Sequence, residues 1–169
     1  MNINKAASQL EHQGWAILSL TEGISDGEVH WKPETTSWSI LEVLNHLIDE
    51  EILDFRRHLA HILYTPQQPW PEIDPQGWVT QNAYNQRSLS ESRMNFQTER
   101  EASIAWLLER PFMDLDASIE LDWGPLTAGD MLASWLAHDL LHIRQLIELH
   151  YQLTVRGSRP YSILYAGEW

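Results

Sequence analysis

Apolar residues recur at helical spacing along four long stretches of the chain. The clearest is the second: Leu41, Leu44, Ile48, Ile52, Phe55, Leu59 and Leu63 fall every three or four positions between Ser39 and Tyr64. That spacing predicts a helix with one broad face turned to a core. Ser39 with Glu42 three residues later forms a capping box that starts it, and Pro66 lies just beyond its end. A first helix is predicted from about Asn4 to Leu20, with Leu10, Ile17 and Leu18 among its apolar positions. A third, more polar, runs from about Asn82 to Arg110 and stops at Pro111. The fourth opens on a second capping box, Thr127 with Asp130, and runs to about Leu153.

The connections have their own signals. "TPQQPWPEIDPQGW" carries four prolines in fourteen residues and reads as a long loop between the second and third helices. "ASIELDWGPL" predicts a short strand or a turn. The tail "RGSRPYSILYAGEW", about 155–169, is irregular but rich in Tyr, Ile, Leu and Trp, so it is expected to dock on the body. Four long helices and scarce strands predict an all-α, four-helix-bundle fold, with residues 1–169 as one domain.

Composition narrows the function classes. With 43% hydrophobic and 21% charged residues the chain is globular. Its formal net charge of −13 opposes a phosphate backbone, and Arg56-Arg57 is the only adjacent basic pair, so nucleic acid is excluded as a partner. There is no cysteine, which removes thiolate metal sites and cysteine nucleophiles. No stretch reads as a signal peptide or membrane span, so a cytoplasmic protein without a membrane partner is expected.

Eight histidines carry the candidate chemistry. His138 and His142, in "HDLLH", stand one helical turn apart and ~40° around the helix. A pair at this spacing can hold one ion from a rigid helix, or can be two hydrogen-bonded residues at a core edge. His46 is the candidate third ligand, although the helical wheel places it opposite the main apolar arc and therefore exposed. Glu50, one turn after His46, is the candidate to orient a ligand or act as general base, or else a solvated surface carboxylate. Trp38 and Trp135 could wall a pocket or pack in the core, whereas His12, His30, His58, His61 and His150 read as surface or boundary residues.

"HWKPETTSWSILEVLNHLIDEE" and "LTAGDMLASWLAHDLLHIRQL" resemble the second and fourth helices of the DinB-like (DinB/YfiT) proteins, and the similarity extends from the first helix to about Leu149. The resemblance implies an up-up-down-down four-helix bundle, often dimeric, with His46, His138 and His142 as ligands of a divalent metal, nickel or zinc before iron. It also implies a metal-dependent enzyme that activates water or a low-molecular-weight thiol for hydrolysis or transfer on a small electrophile. The alternative is a non-catalytic metal-binding or interaction bundle. Two departures touch the surroundings of the ligands: Leu141 stands where many relatives carry a further histidine, and the usual Arg-Gly-Gln reads Ile143-Arg144-Gln145.

Overall fold

The computed structural model describes residues 1–167 and 169. α1 spans Ile3–Ser19 and starts at Asn2, whose side chain accepts from the Lys5 amide. It buries Ile3, Ala6, Leu10 and Ile17 on one face. After the short α2, Asp26–Val29, a long second helix is built of three parts: α3 (Ile40–Asp49), a π-helical turn (Glu50–Phe55) and α4 (Arg56–Tyr64). The capping box at Ser39 is formed, with the Glu42 side chain returning to the Ser39 amide at 2.8 Å.

The proline-rich connection is not loop throughout. Asp74 caps α5, Pro75–Gln81, with Pro75 in the first turn where its missing N–H costs nothing. Ala83 then takes a left-handed conformation (φ 48°) and leads into a 3₁₀ turn, Tyr84–Gln86. The third long helix, α6, therefore begins at Leu89 after the Ser88 cap, and not at Asn82; it ends at Leu108. Asp49 anchors the intervening segment to α3, accepting from Asn82 at 2.8 Å and from the Tyr84 hydroxyl at 2.5 Å.

β1 (Ser118–Leu121) and β2 (Gly124–Thr127) form an antiparallel hairpin in register Ser118↔Thr127, turning at Asp122-Trp123. Gly124 follows the turn at φ 120°, a conformation that favours glycine. α7 starts at once, capped by the Thr127–Asp130 box, and runs from Ala128 to Gly157, four residues beyond the expected end.

Two apolar clusters order the bundle from end to end. One joins Ile3–Leu10 with Phe55, Leu59 and Ile62, Leu107, and Ala128–Leu136. The other joins Ile17 with Ile40–Ile48, Phe96, and Leu146 and Leu149. Hence α1 and α7 run one way and the two helices between them the other. The bundle has the expected balance of two and two, but in chain order it reads up-down-down-up instead of up-up-down-down. In the tail, Trp169 stacks on Tyr151 at 4.3 Å and donates to Glu148, while Tyr161, Leu164 and Tyr165 are exposed. No helix among the described residues is long and apolar enough to cross a membrane.

Candidate metal centre

All ten residues of α3 are buried, because α6, α7, α5 and the 3₁₀ turn surround it. His46 is thus 3% exposed, correcting the expectation of an exposed ring. The wheel failed for a physical reason. It assumed one buried side and a single 3.6-residue phase from Ser39 to Tyr64, whereas α3 is enclosed all round and, beyond it, the π turn widens the helix and shifts the phase. Ile52, assigned to the core arc, is 37% exposed. The side holding His46, Glu50 and Asp54 faces inward.

The wide turn is pinned from the bundle centre. Glu51 lies 2.6 Å from Arg100 of α6 and accepts from the Trp135 indole at 3.3 Å. Arg100 also makes a bidentate pair with Asp139 (2.5 and 3.0 Å) and donates to the Leu10 carbonyl at 2.8 Å. Gly14 gives that arginine its path: a Cβ there would stand 3.1 Å from the Arg100 Cγ. Arg56 closes the far end of the turn on Glu99 at 2.8 Å.

His46, His138 and His142 meet across this frame. The Nε2 of His138 is 3.4 Å from that of His46 and 3.1 Å from that of His142. One nitrogen from each ring can be chosen so that all lie within 4.8 Å of one another. Nitrogens bound tetrahedrally at ~2.0–2.1 Å stand about 3.3 Å apart, so the spacing fits a shared ion. Burial, then the neighbouring His142 and His138 rings, pushes the His46 imidazole down to about 2. Burial and His142 push His138 down to about 3, and burial also lowers His142. All three rings are neutral at pH 7 and offer lone pairs.

The far sides of the rings differ. Gln145 Oε1 is 2.8 Å from His142 Nδ1 and fixes that ring's orientation. Glu50 Oε1 is 3.6 Å from His46 Nδ1, and neither atom has a hydrogen bond. The Glu50 side chain is 4% exposed, so it is a buried carboxyl and not a solvated one. Burial, then the Asp54 carboxylate beside it, pushes it up to about 9. Trp38 stacks against His142 and sits 4.8 Å from the His46 ring, and Phe55 lies 5.0 Å from His138. Trp135 packs in the core behind them, stacked on Phe55. The trio opens into a cavity of about 680 Å³ with Glu50, Asp54, Gln76 and Glu148 on its walls.

Two participants escaped the sequence reading. Asp54 lines the cavity, and His58, taken as a boundary residue, is buried behind it with Nδ1 2.6 Å from Asp54 Oδ1. Their signal was present as polar residues every four positions, His46, Glu50, Asp54 and His58. An α-helical wheel drifts ~40° per such step, and the π turn brings them back to one side. His12, His30 and His150 each bond a backbone carbonyl away from the trio, and His30 also lies 3.7 Å from the Asp26 carboxylate.

The sequence profile of the DinB superfamily matches residues 9–146. Among solved structures, the chain is similar to YfiT from Bacillus subtilis, described as a probable metal-dependent hydrolase with an unusual four-helix bundle topology. The TM-score is 0.76 at 18% identity, covering 89% of this chain and 87% of that one. No curated protein matches the sequence.

Proposed function

The chain belongs to the DinB superfamily, and on that premise we propose that it binds a divalent metal through His46, His138 and His142 and hydrolyses a small electrophilic substrate. The observation that carries this reading is the convergence of three neutral imidazoles, His46 buried and the other two half-buried, at 3.1 and 3.4 Å, beside an open cavity. Three protein nitrogens leave coordination positions free, as catalytic sites do and closed structural sites do not. Nickel or zinc suits an all-imidazole set, with iron next. The description of YfiT supports hydrolysis.

A bound ion would supply polarisation of water or of a carbonyl oxygen. The protein's own part is clear from its side chains. Gln145 holds the His142 imidazole by its outer nitrogen, Glu50 faces the outer nitrogen of His46 at 3.6 Å, and Trp38 and Phe55 shield the rings. Because the chain has no cysteine, a thiol reaction would need a low-molecular-weight thiol as cosubstrate. Metal analysis of untagged protein tests the first step: near-stoichiometric metal is expected, and none in the His46→Ala, His138→Ala, His142→Ala variant. Ester and amide panels, with and without small thiols, then separate hydrolysis from thiol transfer. A wild-type protein without metal would sink the proposal, and a metal-loaded protein inert on both panels would leave the non-catalytic binder.

A further inference from the structure

The cavity presents two carboxyl groups of the second helix to the histidines, and their geometry divides the work between them. Glu50 Oε1 faces His46 Nδ1, the nitrogen on the far side of the ring from the point where the Nε2 atoms meet. It stands behind a ligand. Asp54, one step further along the helix, lines the cavity with its side chain 13% exposed. Its partner His58 has a side chain only 1% exposed, and Trp70 stacks on the imidazole at 4.1 Å.

Both nitrogens of His58 are engaged. Nε2 is 2.8 Å from the Pro71 carbonyl, which only accepts, so Nε2 carries a hydrogen and donates. A nitrogen and a carboxyl oxygen at 2.6 Å, as for Nδ1 and Asp54 Oδ1, also require a proton between them. Oδ1 is therefore committed to His58, and the second oxygen of Asp54 is its remaining acceptor. Glu50, on the same helix, shares a hydrogen bond with Asp54, and besides His58 the ionisable group whose charge reaches Asp54 is His138 on α7.

We infer that Asp54, held by His58, is the proton acceptor of the site, and that Glu50 serves to orient His46. This rests on the hydrolytic reading above. Asp54 takes a proton from the attacking water, and the electron pair of that O–H bond becomes the new bond to the electrophilic carbon. The leaving group departs with its bonding pair and receives the proton from Asp54, which regenerates the carboxylate. His58 is a positioning residue: it never meets the substrate, and it fixes which oxygen of Asp54 does.

Acetohydroxamic acid offers a test that needs no turnover, because it gives up a proton on binding a metal. Calorimetric titration of the zinc-loaded full-length protein, in buffers of different ionisation enthalpy, counts the protons released per molecule bound near neutral pH. In the wild type Asp54 retains that proton and the count is about zero, whereas in Asp54→Asn it rises to about one. Zinc content stays stoichiometric in this variant, and hydroxamate affinity falls about tenfold or more. Glu50→Gln keeps the wild-type count while zinc affinity drops, and His58→Gln, which preserves a donor to Asp54, stays closer to wild type than His58→Phe. An unchanged count in Asp54→Asn, or the rise appearing in Glu50→Gln instead, overturns the inference and leaves the metal site standing. Hydroxamate binding that is equal with and without zinc overturns the metal reading itself, and this inference with it.

Discussion

Glu50 and Glu51 are consecutive residues on one π-helical turn, both nearly inaccessible, and they meet opposite surroundings. Glu51 enters a network in which Arg100, Asp139 and Trp135 answer one another. Glu50 enters a cluster of neutral imidazoles with no cation to meet it, and its Oε1 has no hydrogen bond. A buried carboxyl with no cation beside it gives up its charge at neutral pH, and an unsatisfied polar atom in such a place calls for an explanation. The network around Arg100 meets each carboxylate with a cation from the chain, although Glu51 Oε2 and Arg100 Nε have no hydrogen bond. The histidine side has no such cation within the chain, and its three imidazoles could hold one.

The sharpest way to break this contrast is to remove the ligand set. Zinc added to the wild type is expected to raise the melting temperature in proportion to the logarithm of free metal, since only the folded state assembles the site. In the His46→Ala, His138→Ala, His142→Ala variant that rise should vanish while the helical circular dichroism stays. A melting curve that still responds to zinc would place the ion elsewhere.

Arg100→Met attacks the opposite side. It strands Glu51 and Asp139 together at the bundle centre, and a loss of about 3–5 kcal/mol is expected on denaturant unfolding. The three imidazoles remain, so saturating zinc should recover part of that stability. A loss below ~1 kcal/mol would mean that the network is dispensable, and that packing alone holds the π turn.

The two sides were unequally legible in the sequence. Capping boxes at Ser39 and Thr127 are local, three-residue chemistry, and both formed as read. His138 and His142 share a stripe on an unbroken α-helix, so their proximity also follows from spacing alone. Asp54 depends on the π turn and His46 on the enclosure of α3 by α5, α6 and α7, and no residue preference announces either. That turn is held by Arg100, ninety residues from its acceptor Leu10 and unmarked in a helix whose buried stripe reads Ser92, Phe96, Arg100, Ser103, Leu107. The same polar stripe made α6 look more exposed than it is. The late start of α6 has another cause: Asp49 draws Asn82 and Tyr84 into a turn that competes with helix. Long-range pairing, and not local pattern, decided the start of α6 and the anchoring of the π turn.

Acid and alkali should also separate the imidazoles from Glu50. The unfolded chain's histidines titrate near ~6.5 while His46 and His138 in the fold stay neutral down to about 2 and about 3. Between these limits the unfolded state binds more protons, so metal-free protein loses stability as pH falls below about 6.5. Glu50 has the opposite sign. Its folded value, about 9, lies above the unfolded one, so its contribution is intact below about 4.5 and is lost as pH rises toward 9. Metal-free wild type should therefore fall relative to Glu50→Gln between about pH 4.5 and about 9, at up to about 1.4 kcal/mol per pH unit. Parallel stability curves for the two proteins would show that Glu50 ionises freely in the fold.

The smallest effect expected is at Gln145, and it tests whether the histidine side is pre-organised or merely crowded. Its Oε1 accepts from His142 Nδ1 at 2.8 Å, which leaves Nε2 as the lone-pair nitrogen directed at His138. Gln145→Ala removes the acceptor without touching a ligand atom, so the ring keeps its place and loses its preferred tautomer. Loss of such an outer partner lowers metal affinity by about tenfold, at the low end of the usual range, because the amide is neutral. Gln145→Glu strengthens the acceptor, and zinc should bind more tightly than in the wild type. If Gln145→Ala and Gln145→Glu bind zinc alike, crowding against Trp38 alone sets the ring, and the hydrogen bond is incidental.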